Sequence, residues 1–156
     1  MADKIKLFTD SAADLPKIYR ERYDIEVVPL SVIFGDIEYK DGLTLSHAEF
    51  WEKLQDSKEL PSTNQAAPND FVEAFRPFVE QGYTILYIGL SIKLSGTLQS
   101  AVLAKDLLGA DKIHVFDSKS ASIGETLLLI TAGEMIQAGH SIAEILQRLE
   151  EQRAES

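Results

Sequence analysis

No cysteine occurs among the 156 residues. Disulfides, thiolate catalysis, redox dithiols, Cys-ligated zinc and iron–sulfur clusters are excluded together. Histidine is scarce. His47, His114 and His140 fall in neither HExxH nor HxH spacing, so a catalytic metal site has little to build from. No apolar run nears the roughly 18 residues that a membrane-spanning helix requires. The longest, around Thr126 to Ala132, is a core helix at most. The N-terminus lacks the basic, apolar, small order of a secretion signal, so a cytoplasmic address is the default expectation. Basic residues are outnumbered, 15 against 25 acidic, for a net charge of −10. A nucleic acid or phospholipid surface is a polyanion and calls for clustered Lys and Arg. Here Lys17, Arg20 and Arg22 alternate with Glu21 and Asp24, the pattern of a solvated helix face. Neither a nucleic-acid partner nor stable membrane insertion is expected.

What is present suits one globular domain. Hydrophobic residues make up 45% and charged residues 26%, and a domain of this length buries roughly 70% of its unfolded surface. Strand-like runs alternate with helical stretches. Ile5 to Phe8, Glu26 to Val28, Thr84 to Ile88 and Ile113 to Phe116 are short apolar runs, several without polar alternation. Such runs suit strands buried on both faces of a parallel sheet. Ser31 to Phe34 and Ile37 to Lys40 flank Gly35-Asp36, a hairpin pattern. Helices are expected from Pro16 to about Tyr23, from the capping box Ser46 to Glu49 to about Gln55, and from Pro68 to Gly82. Pro77 should kink the last of these, and a polar loop should run from Asp56 to Ala67. Further helices are expected from about Gly96 to Leu108, from after Phe116 to about Ala138, and after a second capping box, Ser141 to Glu144. The residues Glu150 to Ser156 should fray. The order predicts an α/β fold: a doubly wound, mainly parallel sheet with helices on both faces.

In such sheets ligands bind beyond the carboxyl ends of the strands. Three hydroxyl-rich segments should meet there: Thr9-Asp10-Ser11, the stretch Gly89 to Thr97 with Ser91 and Ser95, and Asp117-Ser118-Lys119-Ser120. Hydroxyl donors with free N–H groups at helix starts can hold a carboxylate or a phosphate. Residue by residue, helix capping explains them as well. Three such loops on one edge shift the balance toward a site. Asp10 and Asp117 could pair as carboxylates or orient their loops through local backbone bonds, and the local reading is favoured. Catalytic motifs are lacking. Gly89-Leu-Ser91-Ile-Lys93 fails the GxSxG elbow at its last position, and neither a P-loop nor GxGxxG occurs. His114 falls mid-strand and suits a neutral histidine in the sheet packing. The loops look built to bind an anionic group without transforming it.

These loops carry a resemblance. Thr9-Asp10-Ser11, Val28-Pro29-Leu30, Asp41-Gly42, Pro61-Ser-Thr63-Asn-Gln65, Ser95-Gly96-Thr97 with Gln99-Ser100-Ala101, and Asp117-Ser118 occur in the order found in the DegV family. The chain resembles that family, the bacterial fatty-acid-binding proteins of the fatty acid kinase system, over essentially its whole length. The resemblance implies a non-enzymatic lipid carrier with no cofactor and a bound long-chain fatty acid as ligand. The acyl tail would lie in an apolar tunnel. A fatty acid kinase subunit would be the partner, making the acyl phosphate for phospholipid synthesis. The carboxylate-holding threonine, serine and glycine amide correspond to Thr63, Ser95 and Gly96, with Thr9, Asp10, Ser11, Asn64, Ser91, Thr97, Asp117 and Ser118 supporting. The chain departs from the family in two places: Thr63-Asn64-Gln65-Ala66 replaces the usual Thr-Ser-Gln-Pro, and Ile92 stands where serine is common. Family members are about twice as long. A truncated or half-length form, residues 1–156 as a single domain without its C-terminal partner, is therefore expected, with self-association through the uncovered face. The alternative is a small-molecule enzyme, a hydrolase or phosphotransferase, using Ser95 or Asp117.

Overall fold

The computed structural model describes residues 4–10, 13, 15–29, 31–34, 37–40, 62–64, 67–89, 97–109, 111–119 and 122–155. The elements are β1 (Ile5–Asp10), α1 (Lys17–Arg22), β2 (Glu26–Val28), β3 (Ser31–Phe34), β4 (Ile37–Lys40), β5 (Ser62–Asn64), α2 (Pro68–Glu80), β6 (Thr84–Gly89), α3 (Thr97–Leu108), β7 (Ile113–Asp117), α4 (Ser122–Gln137) and α5 (Ile142–Glu155). The capping box at Ser46 and its helix lie outside the described residues, as does the Gly35-Asp36 turn.

The main sheet has the order β2-β1-β6-β7, and every pair in it is parallel. The two central strands, IKLFTD and TILYIG, are buried at every position. That burial is why their sequences show no alternation: helices cover both faces. Leu7, Leu86 and Ile88 face one layer with Leu128, Leu129, Ala132, Ile145 and Leu149. Phe8, Ile85 and Tyr87 face the other with Phe71, Phe75, Leu98, Ala101 and Ala104. In the second layer the Phe8 and Phe75 rings meet edge-on at 4.9 Å and 88°, a favoured aromatic geometry. The connection from β1 runs through α1 to β2 on one side, and the connection from β6 runs through α3 to β7 on the other. The strand order therefore reverses between β1 and β6, a topological switch point.

Lys6 is buried in β1, yet its ammonium reaches Asp24 at 2.9 Å and Glu26 at 3.6 Å, so the charge is paired at the sheet's edge while the stem is covered. The charged residues between Lys17 and Asp24 are exposed, with Lys17 paired to Glu21 at 3.6 Å, while Tyr23 turns into the core. A second sheet, β4-β3-β5, is antiparallel. Its β3–β4 pair is the expected hairpin. Its third strand corrects the expected loop: Ser62–Asn64 pairs with β3, Thr63 standing opposite Val32.

Helix ends follow local chemistry. α2 continues through Pro77 to Glu80, and Gly82 beyond it takes a φ of 85°, a left-handed conformation that glycine adopts at least cost. At the start of α5 the Ser141 N–H donates to Glu144 Oε1 at 3.1 Å and the Glu144 N–H to Ser141 Oγ at 3.2 Å, a reciprocal capping box. The expectation of a frayed end is corrected, because α5 runs to Glu155. Arg153 anchors it, donating to the Asp117 carbonyl at 2.8 Å and lying 4.6 Å above the Phe116 ring.

One glycine is fixed by close approach. A Cβ at Gly133 of α4 would stand 2.4 Å from Tyr23 Cγ and 2.8 Å from Tyr23 Cβ. The ring cannot swing aside freely, since its hydroxyl donates to Glu134 at 3.2 Å. Gly133→Ala gains about 1 kcal/mol of helix propensity and loses up to about 3 kcal/mol to overpacking. The expected net is a destabilisation of about 1–2 kcal/mol in chemical denaturation. A stabilised variant would show that Tyr23 gives way.

Candidate functional site

The carboxyl ends of β1, β6 and β7 lie on one edge, and the β1/β6 switch point is where an open parallel sheet leaves a crevice for ligands. Thr9, Asp10, Thr97, Asp117 and Ser118 all come to this edge. Thr9, Asp10, Thr97 and Ser118 are buried.

Strand alternation sends Thr9 and Asp10 to opposite faces. Thr9 Oγ1 lies 2.9 Å from the Ile88 carbonyl and 2.9 Å from Glu125 Oε1, linking β1, β6 and α4 at one point. Asp10 Oδ2 accepts from the Tyr87 hydroxyl. That bond adds to the local reading of Asp10 a partner on the neighbouring strand. The local reading holds for Asp117, whose Oδ1 accepts from the Lys119 N–H at 2.8 Å. The Ser118 N–H donates to the Gly89 carbonyl at 3.1 Å, joining the ends of β7 and β6. Gly89 has no room for a side chain: a Cβ there would meet Leu98 Cδ1 and Tyr87 Cε1 at 2.7 Å and the Tyr87 hydroxyl at 2.8 Å. The glycine lets the start of α3 close on the phenol that holds Asp10.

Two of these groups have displaced acidities. Burial holds the Tyr87 phenol well above its ordinary value, and the charge of Asp10 raises it further, so Tyr87 remains a neutral donor. Burial, and then the Asp10 charge, push the Glu125 carboxyl from 4.5 up to about 8, while the Thr9 hydrogen bond acts the other way. Tyr87→Phe removes a hydrogen bond to a charged group and should cost about 1.5 kcal/mol at neutral pH. Urea titration measures this directly, and a Phe variant as stable as the parent would mean the bond contributes nothing net.

Ser11, Ser91, Ser95 and Gly96 lie outside the described residues. Thr63 and Asn64 lie in β5 of the second sheet, opposite Val32 and Ser31. Tyr87 and Glu125 escape sequence reading. Glu125 did leave one signal, an acidic residue at the head of an otherwise apolar helical stretch. His114 is half-buried in β7 opposite Leu86.

The fold and this edge define a class: an α/β protein with a doubly wound parallel sheet and buried polar side chains at its switch point. A family model described as an uncharacterised protein family, DegV, matches residues 4–156. The chain belongs to the DegV family. A DegV domain-containing protein of Clostridium perfringens is 37% identical over 151 residues, covering 97% of this chain and 54% of that relative. A Thermus thermophilus DegV family protein, whose structure is described in terms of fatty acid binding, superposes with a TM-score of 0.86 at 34% identity. The match covers 97% of this chain and 54% of that one. A Streptococcus pneumoniae fatty acid kinase B3 protein loaded with linoleic acid superposes with a TM-score of 0.77 at 25% identity, over 97% and 54%. The chain thus spans about half the length of the relatives it matches. Among the described residues, no helix is long and apolar enough to cross a membrane.

Proposed function

We propose that this protein binds a long-chain fatty acid by its carboxylate and presents it to a fatty acid kinase subunit. The observation that carries this reading is the likeness to the fatty-acid-binding Thermus thermophilus protein over nearly all of this chain. The pneumococcal kinase B3 likeness supports the kinase partnership. The carboxylate would be held by the hydroxyls of Thr63 and Ser95 and the amide of Gly96. Thr9, Asp10, Ser11, Asn64, Ser91, Thr97, Asp117 and Ser118 would shape the loops around it. Neutral donors can bind an anion and leave its oxygens open to phosphorylation, where a bulky cation would cover them. Cytoplasmic residence and a carrier role without catalysis belong to the same reading, as does correspondence to the N-terminal half of longer relatives. Self-association also fits, since Val102, Leu103 and Leu107 of α3 are exposed, Leu107 at 71%, and such apolar surface favours association.

The test is organic extraction of protein purified under native conditions, followed by mass spectrometry. Recovery of stoichiometric long-chain fatty acid is expected. Protein that carries none, and takes none up from added oleate, would overturn the reading. Turnover of acyl esters or acyl phosphates, abolished by Ser95→Ala, would favour a small-molecule enzyme instead.

A further inference from the structure

Glu125 is fully buried on α4, and its Oε2 has no hydrogen-bond partner among the described residues. Among the described residues its Oε1 has one hydrogen-bond contact, the oxygen of Thr9, which also lies against the Ile88 carbonyl oxygen. The proton count at this point is restrictive. A hydroxyl carries one proton, and a carbonyl can only accept. If Thr9 donates to Ile88, the remaining proton must come from Glu125. The consistent arrangement is Glu125 O–H donating to Thr9 Oγ1 and Thr9 O–H donating to the Ile88 carbonyl. An ionised Glu125 would compete with Ile88 for the single Thr9 proton and leave a charged Oε2 unsolvated, a costly state in the interior.

Among the described residues, the elements that pack in the layer of α4 bring these charged and titratable groups. From β1 comes Asp10, and from β6 comes Tyr87, bonded to Asp10. From β7 comes Asp117, engaged by the Lys119 N–H. From α5 comes Arg153, held by the Asp117 carbonyl. From α1 come Tyr19 and Tyr23, the latter bonded to Glu134. Among the described residues, Asp10 is the group whose charge weighs on Glu125, and it raises the carboxyl further.

Resting on the lipid-binding reading above, we propose that Glu125 is a positioning residue whose proton ties α4 to the ends of β1 and β6, so that a carboxylate-bearing lipid and a protonated Glu125 favour one another. Protonated, Glu125 pins Thr9 and Ile88 immediately before the segment that carries Ser95 and Gly96 in sequence, and adds no charge. Ionised, it gives up that donation and places a second negative charge with Asp10 at the edge where an anionic head group is to sit. The sign follows from linkage. Ligand binding that prefers the protonated form weakens as pH rises through the carboxyl's own value, and the bound ligand raises that value in return. With the free-state value at about 8, affinity falls roughly tenfold between pH 7 and pH 9 where only the protonated form binds.

The experiment measures binding of cis-parinaric acid, a fluorescent long-chain fatty acid, from pH 6.5 to 9.5. It uses the wild-type chain and Glu125→Gln, with circular dichroism at each pH. The amide imitates the protonated acid and cannot ionise. The wild type should lose roughly tenfold in affinity between pH 7 and 9, and the amide variant should hold a flat profile. In parallel, the ¹³C carboxyl shift of Glu125 is titrated in the wild type with and without the fatty acid, and saturation should move its midpoint upward. A flat wild-type profile overturns the proposal and leaves lipid binding standing. So does an equal fall in both proteins, or a midpoint that lipid does not raise. A wild type that binds no fatty acid at any pH overturns the lipid-binding reading, and the proposal with it. The ¹³C titration decides the matter if the variant fails to fold.

Discussion

On the proposed reading, Thr63→Ala combined with Ser95→Ala should weaken fatty-acid binding by roughly 10²- to 10⁴-fold. Each hydroxyl would donate to a carboxylate that has left water to enter the site. A hydrogen bond to a charged group contributes about 1.5–3 kcal/mol, and removing it strands the desolvated oxygen. Two such losses on one head group add to about 3–6 kcal/mol if each acts alone. Because both would touch the same two oxygens, the double variant could fall short of the sum of the singles, and the cycle of four proteins measures that coupling. Competition of oleate against a fluorescent fatty acid reads the affinity. Thr63 sits in a three-residue strand whose partner among the described residues is β3, so the melting temperature must be followed alongside. An affinity equal to the parent's would remove Thr63 and Ser95 from the head-group site.

How much could be read from the sequence depended on how local the deciding interaction was. The runs at Ile5 and Thr84 announced a parallel sheet because burial on both faces suppresses alternation. Pro68, Gly82 and the Ser141–Glu144 box marked helix ends because those signals act within four residues. Non-local interactions stayed hidden. Ser62–Asn64 is polar and short, and it is a strand only because β3 supplies the partner. The polar end of α5 looked ready to fray, but Arg153 finds the Asp117 carbonyl 36 positions away. Asp10 reads locally through its own loop, and its phenol partner, 77 residues distant, lies beyond any local signal. Glu125 lies 116 residues from Thr9, and no periodicity could connect them. The strand ends that carry Thr9, Asp10, Asp117 and Ser118 were thus legible as an edge, but the buried acid behind that edge was not.

That buried acid should also make the protein less stable in alkali, independently of any ligand. The Glu125 carboxyl is at 4.5 when unfolded and about 8 when folded. Between those values the folded state holds a proton that the unfolded state has released. Folding stability therefore falls as pH rises, by about 1.4 kcal/mol per unit, and levels off above 8. Burial of the acid costs nothing below pH 4.5, where both states are protonated, and the full cost is reached above 8. Carboxylates with ordinary acidities are ionised in both states above pH 6, so they leave this window clear. From pH 6 to 9 the wild type should lose about 2–3 kcal/mol in urea denaturation. Glu125→Gln should be nearly flat over the same range, because an amide donates to Thr9 Oγ1 and never charges. The two curves should diverge with rising pH, the variant becoming the more stable protein at pH 9. Parallel curves would mean that Glu125 is already ionised in the native state, with Thr9 turned to it and away from Ile88. Lys6, paired with Asp24 and Glu26, provides the internal contrast. Its charge is satisfied at the sheet's edge, whereas Glu125 faces the end of the sheet with one oxygen unpartnered among the described residues. A fold that compensates one buried charge and leaves the other acid without a partner among the described residues favours a neutral Glu125, and on the proposed reading an anionic head group at this edge would then meet no added repulsion.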